Sequence, residues 1–261
     1  MARIEQQRTG SVLTLVNNDP ATRNSISADF YVGMREALTA ADADRSIKAI
    51  VLTGAGGFFC SGGNMSGLKA RVGGTREQTM SSVEKLHDMV RTMRASRLPI
   101  IAAVEGGAAG AGAALAMACD LVVAARDAYM SVAYVKIGLT PDGGSTVFFG
   151  RGVPRQFLQE MVWTGDRVPV ERLHQLGMVN RLVEPGTAVS TSEAWAAEIA
   201  RGPADAIARG KRLVEAASHA SMEEQLEAEA EGIATSLGGA EAKEGISAFL
   251  EKRKPDFAAV G

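Results

Sequence analysis

The first candidates for chemistry in this chain are glycines. Three glycine-rich segments stand out: GAGGFFCSGGN at 54–64, EGGAAGAG at 105–112 and IGLTPDGGST at 137–146. Each follows, or lies close after, an apolar run that reads as a strand. Glycine lets the main chain approach another group closely, and an N–H at the start of a helix favours an anion. Two N–H groups aimed at an oxygen that gains negative charge during a reaction can each contribute about 3–4 kcal/mol. Taken singly, each segment reads better as a tight turn of an α/β sheet. Asp142, after Pro141, could cap a helix starting near Gly143. His87, His174 and His219 fall on predicted helices without a motif. There is no HExxH, no Cys/His pairing, no acidic triad at ligand spacing and no GxxxxGK[ST] loop. GAGAALA lacks the downstream acid of a dinucleotide fingerprint.

The secondary structure around these segments can be read from periodicity. Residues 11–16 (SVLTLV) and 48–53 (KAIVLT) are predicted strands, the second apolar enough to be buried on both faces. Ser27 is placed to cap a helix over 28–41, and apolar residues at helical spacing predict another over 76–96, stopped before Pro99. PIIAAVEGG is a third strand, GAGAALAMA a small-residue helix and DLVVAA a further strand. This strand–helix–strand order predicts an α/β fold with parallel strands. Helices are predicted near 154–163 and 170–176, a strand at MVNRLV (178–183), and only helices over the last ~60 residues.

Bulk properties set outer limits. A chain of 261 residues, 46% hydrophobic and 22% charged, can bury a sizeable core. A formal net charge of −2 with no block of one sign points away from nucleic acid. Two cysteines, Cys60 and Cys119, do not make a disulfide framework and read as small buried residues. The start lacks a signal-peptide segment, and no apolar run reaches ~20 residues. The expectation is a cytoplasmic protein without a membrane partner.

The glycine-rich segments also carry a resemblance. Phe58-Phe59-Cys60-Ser61-Gly62-Gly63-Asn64 is similar to the F-C-A-G-A-D run of the crotonase (enoyl-CoA hydratase/isomerase) superfamily. Residues 103–112, continuing to Cys119-Asp120, are similar to its A-V-N-G-x-A-x-G-G-G…C-D run. Residues 137–146 resemble the I-G-L-x-P-D-x-G-x-T run of its isomerase-like members, and EGISAFLEKR at 244–253 fits the family ending. The four occur in order, with matching spacing, over nearly the whole chain. The resemblance implies an α/β crotonase-type spiral of ββα turns over residues 1–200 that binds acyl-CoA. A C-terminal helical region, 201–261, would then build homotrimers, often stacked as hexamers. It implies an enzyme that stabilises the enolate of an acyl-CoA thioester, with CoA entering as substrate rather than as a resident cofactor. By the family pattern, Gly63 and Ala111 supply the two N–H donors, Ala111 standing where the family has glycine.

The chain departs from the hydratase pattern at both catalytic glutamates, whose positions here are Ala114 and Tyr134. Alanine cannot exchange a proton and neutral tyrosine is a poor base. Asp142 stands where some double-bond- and ring-isomerising members carry a proton-shuttling Asp, and where a dehalogenase branch carries a nucleophilic one. His87 lies one turn early for that branch's histidine. The first reading is therefore an isomerase-like enzyme with Asp142 as base. The others are a hydratase working without the two glutamates, and an acyl-CoA-binding protein that has lost catalysis. The resemblance further implies that Arg23, Ser61, Asn64 and Met65 contact CoA or substrate and that Leu68 faces the acyl pocket. Phe249 and Lys252 would reach a CoA bound in a neighbouring subunit. Tyr134 lines the pocket, hydrogen-bonds the substrate or simply packs. Residues 69–76 (KARVGGTR) form either a flap or an ordinary surface loop.

Overall fold

The apolar runs become the centre of a six-stranded sheet in a computed structural model that describes residues 4–260. In chain order the first half contains β1 (Ile4–Thr9), β2 (Val12–Asn17), α1 (Ala28–Ala43), β3 (Ala49–Gly54), α2 (Met65–Lys69) and α3 (Arg76–Ala95). β4 (Ile100–Val104), β5 (Gly107–Ala109), α4 (Ala111–Ala118), β6 (Leu121–Ala125) and β7 (Tyr129–Ser131) follow. The second half runs α5 (Ser145–Gly150), α6 (Arg155–Thr164), β8 (Val168–Pro169), α7 (Val170–Gln175), β9 (Arg181–Val183) and α8 (Ala188–Ala200). α9 (Ala204–Ala216), α10 (Met222–Leu237) and α11 (Ala240–Leu250) close the chain. Among the described residues no helix is long and apolar enough to cross a membrane.

The main sheet has the order β1-β2-β3-β4-β6-β9, parallel throughout except for the antiparallel β1–β2 pair. Every residue of β2, β3 and β4 is buried, as parallel strands covered on both faces require. The two faces alternate with period two. Val12, Ala49, Val51, Ile101, Ala103 and Val123 meet Ala188, Ala196 and Ala200 of α8. Leu15, Ile50, Leu52 and Ala102 face the other way, onto a cluster containing Phe30, Met34 and Leu38 of α1 and Met89 and Met93 of α3. Burying such a side chain fully contributes about 1.5–3 kcal/mol.

Helix boundaries follow local chemistry. The Ser27 side chain accepts from the Phe30 N–H, as its position before α1 predicts. Thr75 and Gln78 form a reciprocal capping box at the start of α3. A second sheet, β5-β7-β8, lies outside the sequence-based expectation, as does β1. β1 (IEQQRT) has one buried and five exposed residues, so its sequence carries no apolar signal. It is held instead by its ladder to β2, from Ile4↔Asn17 to Thr9↔Val12. The strand expected over 178–183 is confined to Arg181–Val183.

Among the described residues no strand follows β9. α9 is clamped to the end of α3 and the start of β6 by ion pairs. Lys211 Nζ lies 2.8 Å from Asp120 Oδ2 with its side chain 7% exposed, and Arg94 reaches Asp120 at 3.1 Å and also Glu215.

Candidate active site

Each glycine-rich segment crosses from a strand end to one wall of a common cavity. The loop after β3 is fixed by Asn24, fully buried and in the left-handed region at φ 58°. Its amide donates to the carbonyls of Ala55 at 2.8 Å and Phe58 at 2.5 Å, while its oxygen accepts from the Asp19 N–H at 2.9 Å. Asn24 was not singled out from sequence, although it stands in a loop rich in Asn, Asp and Pro. The loop then pairs with β5: Cys60 N–H donates to Gly107 O at 3.3 Å and Ala109 N–H to Cys60 O at 3.0 Å. Contact is tight enough to exclude side chains. A Cβ on Gly62 (φ +93°) would sit 2.6 Å from Ala109 O, and one on Gly112 would sit 2.4 Å from Cys60 O.

This packing brings Gly63 beside the first turn of α4. The cap of that helix is Gly110, at φ 51° and ψ −126°. Its carbonyl accepts from the N–H groups of Ala113 and Ala114 at 3.0 and 3.2 Å. Among the described residues, the N–H groups of Gly63 and Ala111 donate to no protein acceptor. Both residues line a cavity of about 1090 Å³. Unpaired amides of this kind, one of them at a helix start, can favour a negatively charged oxygen.

The third segment supplies the facing wall. A 3-10 turn over Ala133–Ile137 leads through Gly138 to Asp142, followed by Gly143 and Gly144 with φ of 61° and 84°. The residue preceding α5 is Gly144, with no side-chain cap, so the cap reading of Asp142 does not hold. Its carboxylate instead accepts from Tyr134: the hydroxyl lies 2.8 Å from Asp142 Oδ1. Tyr134 is buried, and its phenol is pushed well above the ordinary tyrosine range, by burial first and the Asp142 charge second. Tyr31, on the same cavity, is pushed up to about 12, again by burial and then by Asp142, with Arg71 opposing. Both phenols therefore stay neutral donors.

Of the residues predicted from sequence, Ser61, Gly63, Met65, Leu68, Ala111, Tyr134 and Asp142 line this cavity. Ser61 also donates its hydroxyl to Thr22 O at 2.8 Å. Arg23, Asn64, Phe249 and Lys252 are not on the wall. The Arg23 guanidinium lies 5.6 Å from the centre of the Phe58 ring. Asn64 caps α2 by accepting from the Gly67 N–H at 3.1 Å, and donates to Ser25 Oγ at 3.0 Å. Phe249 is 82% exposed near the end of α11, and Lys252 lies just beyond it. In the 69–76 segment, Lys69, Arg71 and Val72 reach the cavity, and Arg71 is tied to Ser82 Oγ at 2.6 Å.

Sequence reasoning missed one wall. Thr79, Ser82, Val83, Leu86 and His87 of α3 all line the cavity. They recur at three- and four-residue spacing, so one stripe of the helix faces inward. His87, given no chemistry from sequence, is part of that stripe, with Nδ1 3.5 Å from Glu84 Oε2. Ala114, the position that the resemblance gives to a hydratase glutamate, is fully buried and is not on the wall. Its Cβ lies 3.4 Å, and Leu86 Cδ2 3.2 Å, from where a Cβ on Gly143 would be.

The Enoyl-CoA hydratase/isomerase family model matches residues 7–259. The 1,2-epoxyphenylacetyl-CoA isomerase of Escherichia coli is 33% identical over 247 residues, covering 94% of each chain. The 2,3-dehydroadipyl-CoA hydratase of the same organism is 29% identical, covering 98% of this chain and 99% of its own. The crystal structure of an enoyl-CoA hydratase from Polaromonas sp. JS666 superposes with a TM-score of 0.94 at 38% identity, covering 97% of this chain and 98% of that one.

Proposed function

The chain belongs to the enoyl-CoA hydratase/isomerase family, and we propose that it moves a double bond, or rearranges a ring, in an acyl-CoA thioester. Asp142 is the base that carries the proton, and the N–H groups of Gly63 and Ala111 hold the thioester oxygen as it becomes an enolate. The observation that carries this reading is the composition of the wall: among the described residues Asp142 is its one carboxylate, in the same cavity as the two free amides.

A thioester α-proton is a weak acid, and its removal places charge on the carbonyl oxygen. Two preorganised amides stabilise that charge by about 3–4 kcal/mol each. One carboxylate can take a proton from one carbon and return it to another, which is all a 1,3-shift needs. Adding water calls for a group that handles the water as well as the α-proton. The position that would supply one, Ala114, is alanine and lies behind the wall. That favours isomerisation over hydration, although relatives carry both kinds of name.

The assembly we propose with this activity is the family's homotrimer or a hexamer of two such trimers, joined through the helices after β9. Val214, Phe249 and Leu250 on those helices are 75%, 82% and 74% exposed, which supports burial against another subunit. Phe249 and Lys252 would then meet a neighbour's CoA.

The test is to incubate wild type and Asp142→Asn with 3-enoyl-CoA and separately with 2-enoyl-CoA, following products by mass and absorbance. Movement of the double bond by wild type alone supports the reading. Two inert proteins that still bind CoA thioesters would reduce the chain to an acyl-CoA binder. Hydration of 2-enoyl-CoA without isomerisation would sink the single-base mechanism.

A further inference from the structure

The two oxygens of Asp142 are not equivalent. Oδ1 accepts from the Tyr134 hydroxyl at 2.8 Å, whereas Oδ2 has no protein donor among the described residues. The hydroxyl is itself tightly placed. Ser145 Oγ lies 3.2 Å away and Asp142 O 3.3 Å away, and the Ser145 hydroxyl donates to Asp142 O at 2.9 Å. With the Ser145 proton so committed, the single Tyr134 proton goes to its closest and only charged acceptor, Oδ1. The hydroxyl-bearing end of the ring also borders the amide side of the site. A Cβ on Gly110 would lie 3.9 Å from Tyr134 Cζ, and Gly110 caps the helix whose first N–H is that of Ala111.

We propose that Tyr134 is a positioning residue that holds Oδ1 of Asp142, so that Oδ2 alone exchanges the proton with the acyl group at a fixed distance from the Ala111 amide. This inference rests on Asp142 being the base. In the forward half-reaction a C–H bond breaks, its electron pair flows through the conjugated system to the thioester oxygen, and an O–H bond forms at Oδ2. In the second half that O–H breaks, the proton joins the other carbon, and the pair returns from the oxygen. Tyr134 keeps its own proton throughout, because burial and the neighbouring carboxylate both disfavour a phenolate. The other titratable or charged groups on the cavity wall are Tyr31, Lys69, Arg71, His87 and Lys136. None of them hydrogen-bonds the carboxylate. The sequence reading of Tyr134 as a substrate contact thus becomes a contact to the base.

The experiment compares wild type, Tyr134→Phe and Asp142→Asn for conversion of 3-enoyl-CoA to 2-enoyl-CoA, recording kcat, KM and the pH–rate profile. Tyr134→Phe keeps the ring and loses the donor. Its kcat is expected to fall about tenfold to a hundredfold, the range for a hydrogen bond to a charged group. KM should stay within about twofold. The acidic limb of its profile should move to higher pH, because the lost donor favoured the charged carboxylate. Placing 3-fluorotyrosine at 134, a stronger donor of nearly the same shape, should move that limb to lower pH. An unchanged kcat and limb in Tyr134→Phe, with Asp142→Asn inactive, would overturn the proposal and leave the base assignment standing. Wild-type turnover by Asp142→Asn, or no isomerisation by wild type, would remove the base assignment and this inference with it. If Tyr134→Phe does not fold, an unmoved limb in the fluorinated protein overturns the proposal.

Discussion

Replacing Gly62 by alanine should disable the reaction without touching any side chain on the cavity wall. Gly62 has φ +93°, and its missing Cβ would stand 2.6 Å from Ala109 O and 3.4 Å from Ala111 N. Ala109 belongs to β5, whose ladder to β7 leaves that carbonyl little freedom to retreat, so the 61–63 turn must move. Holding alanine in this backbone region costs about 1–3 kcal/mol. The chemical effect is larger, because the displaced residue next in line is Gly63. Losing one of two preorganised amides costs about 2.7–4 kcal/mol of transition-state stabilisation, a fall in kcat of roughly 100- to 1000-fold. The assay is turnover of 3-enoyl-CoA, with CoA-thioester binding measured by calorimetry and Tm by scanning fluorimetry. Gly177→Ala is the control, because Gly177 has φ +79° with nothing within 4 Å of its Cβ position. It should lose stability and keep kcat. A folded Gly62→Ala protein with kcat within about threefold of wild type would refute the role given to the Gly63 N–H.

Three further outcomes are expected. Cys60 and Cys119 should resist alkylation at mildly alkaline pH in the native protein and react once it is unfolded. Burial pushes the Cys60 thiol up to about 12 and raises that of Cys119 as well, and mass spectrometry would read the difference. Lys211→Ala should destabilise the fold by about 3 kcal/mol, the low end for breaking a buried ion pair, because Arg94 still pairs with Asp120; chemical denaturation would measure this. Glu244, depressed from 4.5 to about 2 by Arg253 and by the Asp256 N–H, should support the chain end above pH 4.5 and release it as pH falls through about 2. Hydrogen exchange over residues 251–258 should rise in that window and not above it.

How far the sequence carried depended on whether the physical signal was local. β2, β3, β4 and β6 were legible because strands buried on both faces must be continuously apolar. α1 and α3 were legible from period and caps. β1 was not, since an edge strand held by main-chain bonds can be almost wholly polar, and β5, β7 and β8 have only two or three residues each. In the site, the glycine-rich segments announced themselves because close backbone approach leaves glycine no substitute. The inward stripe of α3 did not, because a mixture of Thr, Ser, Val, Leu and His looks like an ordinary half-exposed helix until its neighbours are known. Nor could Asp142 be separated from a cap by spacing alone. That distinction needed the Tyr134 hydroxyl, eight residues away in sequence.

The burial of Ala114 bears on how this chain could have diverged from relatives of other specificity. A glutamate introduced at 114 would enter a filled interior, where Leu86 and the Gly143 turn already meet. It would bring an uncompensated charge into apolar surroundings, a change that ordinarily destabilises a fold. A mutational route toward such a relative therefore has an order. Leu86 must shrink, or the Gly143 turn must open, before a carboxylate at 114 can be tolerated. The same order makes a lone Ala114→Glu change an unproductive step, and library designs that seek to switch the activity should vary 86, 114 and 143 together.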